Sequence, residues 1–357
     1  MPQLRLGQIG WLNRDEGPEC TTVAWCDIDA AKLAASRAKC PQIAGYTDYR
    51  EMVKHPGLDA VVISTPNWVH AEQAIAFLEA GKHVFLEKPM GITKAECDAI
   101  LAAASKHRRQ CVIDFEMRVS PFARRIKQVL DSGEFGQLRH LEFIHHRGCW
   151  EEEGNGIWRT RPEKSGGLYL MEPIHEVDIF RFFAGEIAAA QSVAAPNVLP
   201  QYRFEDNVCS HFFFASGTLG TILTSHTHSA WTRQAELWSQ LGHDMQMIFT
   251  CTGGSLGADF INARLLFNRY VEHPRGARGT RVTCERVEDY RPAGWHSFFH
   301  DIAAMRWEFI RRLANGQPPV QDTLDAWKTH QVCFAAEQSL REDGRRVAVD
   351  YTLPAGV

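Results

Sequence analysis

The stretch "HVFLEKP", residues 83–89, ends an apolar run on an acid, a base and a proline. The run reads as a buried strand, with Lys88 at its carboxyl end. Open α/β sheets bind ligands beyond the carboxyl ends of their strands. An ammonium group there faces a low-dielectric crevice. Burial would depress its pKa and ready it for proton transfer or for steadying an alkoxide. The plain alternative is a solvated strand terminus. Two other strand ends carry polar residues: Asp27 and Asp29 after "TTVAWC", and Thr65-Pro66-Asn67 after "DAVVIS". Further on, Glu172, His175 and Asp178 stand at i, i+3 and i+6, where one helix face could present them to a metal ion. A single Glu-x-x-His without a second ligand segment does not complete such a site. No metal is expected.

These residues need a scaffold, and the chain alternates clearly up to about residue 115. "LRLGQIG", "TTVAWCDID", "DAVVISTPN", "HVFLEKP" and "QCVIDF" read as strands. Between them, "AAKLAASRAKC", "VHAEQAIAFLEAG" and "TKAECDAILAAASKH" read as helices, the second closed by Gly81 and the third capped by Thr93. Continuous apolar strands alternating with helices predict a doubly wound parallel sheet covered on both faces. After the helix "PFARRIKQVLDSG" the pattern changes to alternating runs with Gly-rich turns: "LRHLEFIHH", "VCSHFFFASGTLGTILTSH", "AELWSQLG", "DMQMIFTCTGG" and "RLLFNRY". They predict a large, mainly antiparallel open sheet. Two late helices, within 297–316 and 322–344, are expected to pack on it. The fold class is therefore α/β, with a Rossmann-type domain over 1–115 and an α+β domain over 116–357.

Composition narrows the function. The 357 residues are 45% hydrophobic with a formal charge of -4, so no basic excess points to nucleic acid. No run approaches the length of a membrane helix, and the start is a strand rather than a signal core. A cytoplasmic location is the default. Ten cysteines without a CxxC pair suggest neither a disulfide scaffold nor a zinc site. Cys26, Cys111, Cys209 and Cys251 lie in apolar or strand-like runs and read as small buried hydrophobes.

The stretch "AEQAIAFLEAGKHVFLEKPMGITKAECDAIL" resembles the core of the family named after glucose-fructose oxidoreductase, inositol dehydrogenase and a rhizopine-catabolism protein (Gfo/Idh/MocA). So do "VVISTPNWVHAEQA", "FEMRVSPFARRIKQVLDSGEFGQLRHLEF" and "WRTRPEKSGGLYLMEPIHEVDIFRFFAG", and the likeness runs over nearly the whole chain. It implies that Lys88 is catalytic beside a nicotinamide ring. It implies that His175 exchanges the proton of a substrate hydroxyl, which suits an imidazole near pH 7. Many members carry an acid four residues before this histidine. Here that position is Met171, and the nearest acid, Glu172, is expected to bind substrate, to orient His175, or to be a buried structural carboxylate.

The same likeness calls for Gly-x-Gly-x-x-Gly after the first strand. Here Gly10 is followed by Trp11, Leu12, Asn13, Arg14, Asp15 and Glu16. Only 17 positions separate Gly10 from Asp27, so the first helix is short by roughly two turns. Asp15 and Glu16 are expected to place negative charge where a helix N-terminus would receive a pyrophosphate, with Arg14 able to compensate. Asp27 favours NAD over its phosphorylated form, since a carboxylate accepts from a free ribose hydroxyl. Thr65, Asn67, His70 and Glu87 are implied near the cofactor.

The resemblance places Arg118, Trp150, Trp158, Arg159, Arg161, Glu172 and His175 around a polyhydroxylated ring, with "GCWEEEGNGIW" as a lid. Three functions stay open. One is a nicotinamide-dependent dehydrogenase of sugars or cyclitols. The second is a same-fold epimerase, lyase or glycoside-cleaving enzyme without net redox chemistry. The third is a non-catalytic sugar or nucleotide sensor or partner subunit. A homo-oligomer is expected.

Overall fold

The computed structural model describes residues 3–11, 15–149, 157–227, 245–260, 264–272, 280–290 and 301–357. Its first half follows the predicted alternation. In chain order come β1 (Leu4–Gly10), β2 (Cys20–Cys26), α1 (Ala30–Lys39), β3 (Ala44–Tyr46), α2 (Tyr49–Met52), β4 (Ala60–Ser64), α3 (His70–Glu79), β5 (His83–Leu86), α4 (Lys94–His107) and β6 (Cys111–Ile113). The six strands lie in the order β3-β2-β1-β4-β5-β6, and all pairs are parallel. That is a Rossmann-type sheet, and its order reverses between β1 and β4, which opens a crevice at their carboxyl ends. The short strand β3, "AGY", was not expected. Local chemistry supports the helices. Thr93 and Glu96 close a reciprocal capping box on α4, worth about 1 kcal/mol. Gly81 ends α3 with a φ of 75°.

The second half contains α5 (Pro121–Ser132), β7 (Leu138–His146), α6 (Pro162–Ser165), α7 (Leu168–Met171), α8 (Ile174–Ala184), β8 (Ile187–Ala194), β9 (Asn207–Phe214), β10 (Leu219–Ser225), β11 (Met245–Cys251), β12 (Gly254–Asp259), β13 (Arg264–Glu272), β14 (Thr280–Asp289), α9 (Ile302–Ala314), α10 (Thr323–Arg341) and β15 (Val347–Ala348). Its nine strands run β14-β13-β12-β11-β7-β10-β9-β8-β15. Only β7 and β10 pair in parallel; the other neighbours are antiparallel. Period-2 alternation turns Val208, Ser210, Phe212 and Phe214 of β9 inward, and Phe180 of α8 packs on Phe212 and Phe214. The expected strand "AELWSQLG" lies outside the described residues.

The last two helices do not both sit on the second sheet. Helix α9 lays Met305, Phe309 and Ile310 on the parallel sheet, against Leu6, Ala60, Val62, Phe85 and Val112. Its apolar stripe finds a bare face there, because no helix is described between β1 and β2. Helix α10 bridges the two sheets. Trp327 donates to Asp98 of α4 at 2.7 Å, and Ser339 accepts from the backbone of Ser192 in β8 at 2.9 Å.

Candidate active site

Three turns of chain carry the site at the carboxyl edge of the parallel sheet. The ladder continues past the strands, since Glu87 N donates to Ile63 O at 3.0 Å and Asp114 N to Leu86 O at 2.9 Å. Lys88 follows and is joined to Pro89 by a cis peptide. Two buried histidines fix this turn. Met90 N donates to His330 Nε2 at 2.7 Å, so Nδ1 carries the proton donated to Ala326 O at 2.8 Å. Burial pushes His330 down to about 4, which keeps that acceptor neutral near pH 7. His70 meets Pro89 O at 2.7 Å and Thr65 O at 2.8 Å. It therefore ties the β4 loop to the lysine turn from inside the core rather than facing a ribose.

From this turn Lys88 Nζ donates to Met171 O at 2.5 Å. Met171 ends α7, and the chain breaks there before α8. The break is built into the sequence: Pro173 precedes the first turn of α8, while Gly166 and Gly167 take φ of 92° and 95° just before α7. Residues 157–184 thus form a 3-10 turn, Ile157–Thr160, followed by α6, α7 and α8, and His175 stands in the opening turn of the last. Asn67 crosses to the same region, donating to Ser165 O at 2.9 Å. Lys88 and Asn67 therefore span from the first sheet to the segment that carries His175.

His175 is only 8% exposed. Its Nδ1 lies 3.3 Å from Glu116 Oε2, and its ring meets Phe115 edge-on at 6.1 Å. Burial resists the imidazolium, but the Glu116 carboxylate outweighs it and holds the histidine above its ordinary pKa, while Lys88 works against the shift and Glu176 adds to it. Glu87 and Asp114 crowd the same spot. Burial and neighbouring carboxylates push both toward the neutral form, Asp114 furthest. Neither Asp114 nor Glu116 was singled out beforehand. Both follow the carboxyl end of "CVI", so the rule that picked Lys88 would have found them.

Glu172 is placed differently from an acid–base group. Arg147 Nη1 lies 2.5 Å from its Oε2, with both side chains buried. Burial alone would raise its pKa, but Arg147, helped by His226, Lys88 and His145, holds it far below the usual carboxylate range. Such a group stays ionised and does not shuttle protons near pH 7. Arg118, expected against substrate, is also committed elsewhere. It forms a forked pair with Asp178 at 2.6 and 2.8 Å and reaches Asp325 at 2.6 Å. Those partners lie 60 and 207 residues away in sequence, out of reach of local pattern. Trp158 packs edge-on against Trp68 at 5.3 Å, and Arg159 lies 4.7 Å over the Trp158 ring. Arg161 leads into α6. Trp150, with most of the expected lid, lies outside the described residues.

At the other end of the crevice, Gly10 has a φ of 83°, and a Cβ there would stand 2.4 Å from Ser64 O. The approach of β1 to β4 demands glycine. Asp27 follows β2 and accepts from Asp29 N at 2.9 Å, while Asp29 caps α1 through Ala31 N and Lys32 N. Asp15 overturns its expectation. It is 3% exposed and faces inward. Arg306 of α9 donates to both its carboxylate oxygens at 3.1 and 2.9 Å, and Gln8 adds a bond at 3.0 Å. A pyrophosphate would not meet that charge, because Arg306 neutralises it below the surface. Glu16 is exposed, and Arg14 lies outside the described residues.

The residues fit a nicotinamide dinucleotide at the Gly10 turn, at Asp27 and beside Lys88. At the far end of the crevice, no helix is described between β1 and β2, so among the described residues no helix N-terminus offers amides and a partial positive charge there.

Comparison with known proteins agrees with this architecture. Residues 10–115 match the family described as an oxidoreductase family with an NAD-binding Rossmann fold. Residues 123–256 match the GFO/IDH/MocA C-terminal domain. The chain is 31% identical to the uncharacterized oxidoreductase YrbE of Bacillus subtilis strain 168, over 98% of this chain and 95% of that one. It is 24% identical to a myo-inositol 2-dehydrogenase of Thermotoga maritima, over 94% and 95%. With the scyllo-inositol 2-dehydrogenase (NAD(+)) of B. subtilis it shares 27%, over 85% and 81%. Among solved structures, levoglucosan dehydrogenase in complex with NADH has the same fold. Its TM-score is 0.78 at 20% identity, covering 98% of this chain and all of that one. A Rossmann crevice, a lysine at its edge, a histidine brought in by the second half and a full-length relative above 30% identity place this chain in the Gfo/Idh/MocA family of NAD-binding oxidoreductases.

Proposed function

We propose that this chain is an NAD-dependent dehydrogenase acting on a secondary hydroxyl of a cyclitol or sugar. The observation that carries the reading is the reach of Lys88 from β5 to Met171 O, four residues before His175. It brings a cation and an imidazole to one place between the two halves. When bound, the nicotinamide accepts the hydride. Lys88 then steadies negative charge developing on the substrate oxygen, and His175 receives the hydroxyl proton. Glu172, fixed by Arg147, serves as a permanent acceptor for a neighbouring hydroxyl. The inositol dehydrogenases among the relatives support the substrate class. Asp27 supports NAD over NADP.

Two coarser properties complete the proposal. The ten cysteines form no disulfide among the described residues, which suits a reducing compartment such as the cytoplasm. Leu223, Ile248 and Leu266 are exposed on the open face of the nine-stranded sheet, which supports a homo-oligomer through that face. The activity test is direct. The purified protein is mixed with NAD and a panel of inositols and sugars, and absorbance of the reduced nicotinamide is followed. Reduction on one class assigns it. Tightly held cofactor without net turnover would move the chain to the non-redox reading. No NAD binding at about millimolar concentration would end the dehydrogenase reading.

A further inference from the structure

We propose that Glu116 is the positioning residue for His175: it accepts from Nδ1–H, fixes that tautomer, and holds the imidazolium formed when the Nε2 side takes the substrate proton. This rests on the dehydrogenase reading above for its chemistry, though not for its geometry. Four residues before His175 stands Met171, which offers the ring no carboxylate. The acids closest to His175 in sequence are turned to other partners: Glu172 to Arg147, Glu176 to His145 at 3.0 Å, and Asp178 to Arg118. Glu116 comes from the turn that follows β6 of the parallel sheet, 1% exposed, and places Oε2 3.3 Å from Nδ1.

The surroundings favour this role. His175 is faced by Glu116 and Phe115 from the exit of β6 and by Glu87 and Lys88 from the exit of β5. Glu176 stands beside it on α8, with His145 of β7 behind. Burial and neighbouring carboxylates bias Glu87 and Asp114 toward the neutral form, and Glu116 is the carboxyl that stands 3.3 Å from the imidazole. During oxidation the substrate O–H proton passes to Nε2 and the carbinol hydride to the nicotinamide. Nδ1 keeps its proton throughout, and Glu116 exchanges none. A carboxylate that orients and charges an imidazole in this way raises its basicity and selects its tautomer.

The test uses the whole protein with labelled histidine, His175 being assigned by the signal lost in His175→Asn. In the wild type, nitrogen shifts of the neutral ring should show the proton on Nδ1. In Glu116→Gln the proton affinity of His175 should fall by about tenfold, and Glu116→Asp should restore most of it. A wild-type ring protonated on Nε2 would overturn the proposal, and that measurement holds even if Glu116→Gln fails to fold. So would a folded Glu116→Gln whose affinity moves by less than about threefold. None of these readings needs turnover, so a protein inert toward every sugar would sink the dehydrogenase reading and leave this one measurable. Where turnover is found, Glu116→Gln should lower kcat and move the acid limb of its pH profile downward with little change in KM.

Discussion

The two ends of the crevice are built on opposite principles. At the lysine end, the groups that would do chemistry hang from a rigid frame: β5 and β6 set Lys88 and Glu116, and His70 and His330 hold the turn between them. At the other end, no helix that would cradle a pyrophosphate is described between β1 and β2. The buried charge described there, Asp15, is spent on a helix from the far end of the chain. The frame around Lys88 and Glu116 is held by buried partners, while Asp15, beyond Gly10, serves as a structural joint to Arg306. Binding and chemistry are therefore separable here, and each can be disturbed without the other.

Lys88→Ala should show the largest effect. Removing a cation aimed at a developing alkoxide lowers kcat by about 10²–10³-fold, roughly 3–4 kcal/mol, with circular dichroism and melting unchanged. Activity surviving within about tenfold would strip the lysine end of its assigned role. Arg306→Ala should cost about 3 kcal/mol of stability, since it leaves Asp15 charged and buried without its partner. Urea titration reads that loss, and pairing it with Asp15→Asn should recover part. A loss below about 1 kcal/mol would mean that the joint is idle.

The acid limb of activity sharpens the contrast. A base must be neutral to take a proton, and the pKa of His175 is raised. Oxidation measured as kcat/KM should therefore start to fall above pH 6.5 on acidification, by about tenfold per unit below the midpoint. A midpoint under the ordinary histidine value would contradict the Glu116 contact. The smallest effect belongs to the anchor: Asp27→Ser should improve use of NADP relative to NAD by about tenfold, roughly 1.4 kcal/mol.

Most of the frame was legible because its signals are local. Apolar runs, Gly81, the Thr93 box and the alternation of β7 and β9 all act within a few residues. Strand β3 was not, since three residues carry no period and pair only because β2 lies beside them. Lys88 and His175 were reached through likeness and strand-end logic. What escaped was side-chain partnership at long range. Arg118 reads as a pocket cation until Asp178 and Asp325 claim it. Asp15 reads as a charge near phosphate until Arg306, 291 residues away, turns it inward.

Helix α9 has a consequence for how the molecule comes into being. A ribosome delivers chains from the amino end, and early domains ordinarily fold as they emerge. Here Leu6, Val62 and Phe85 await Met305, Phe309 and Ile310, so the opening sheet leaves the exit tunnel with a greasy side uncovered. It stays that way for most of translation. Expression should thus depend on holdase chaperones, and clipping the chain before residue 302 should send it to aggregates rather than to a freestanding nucleotide domain.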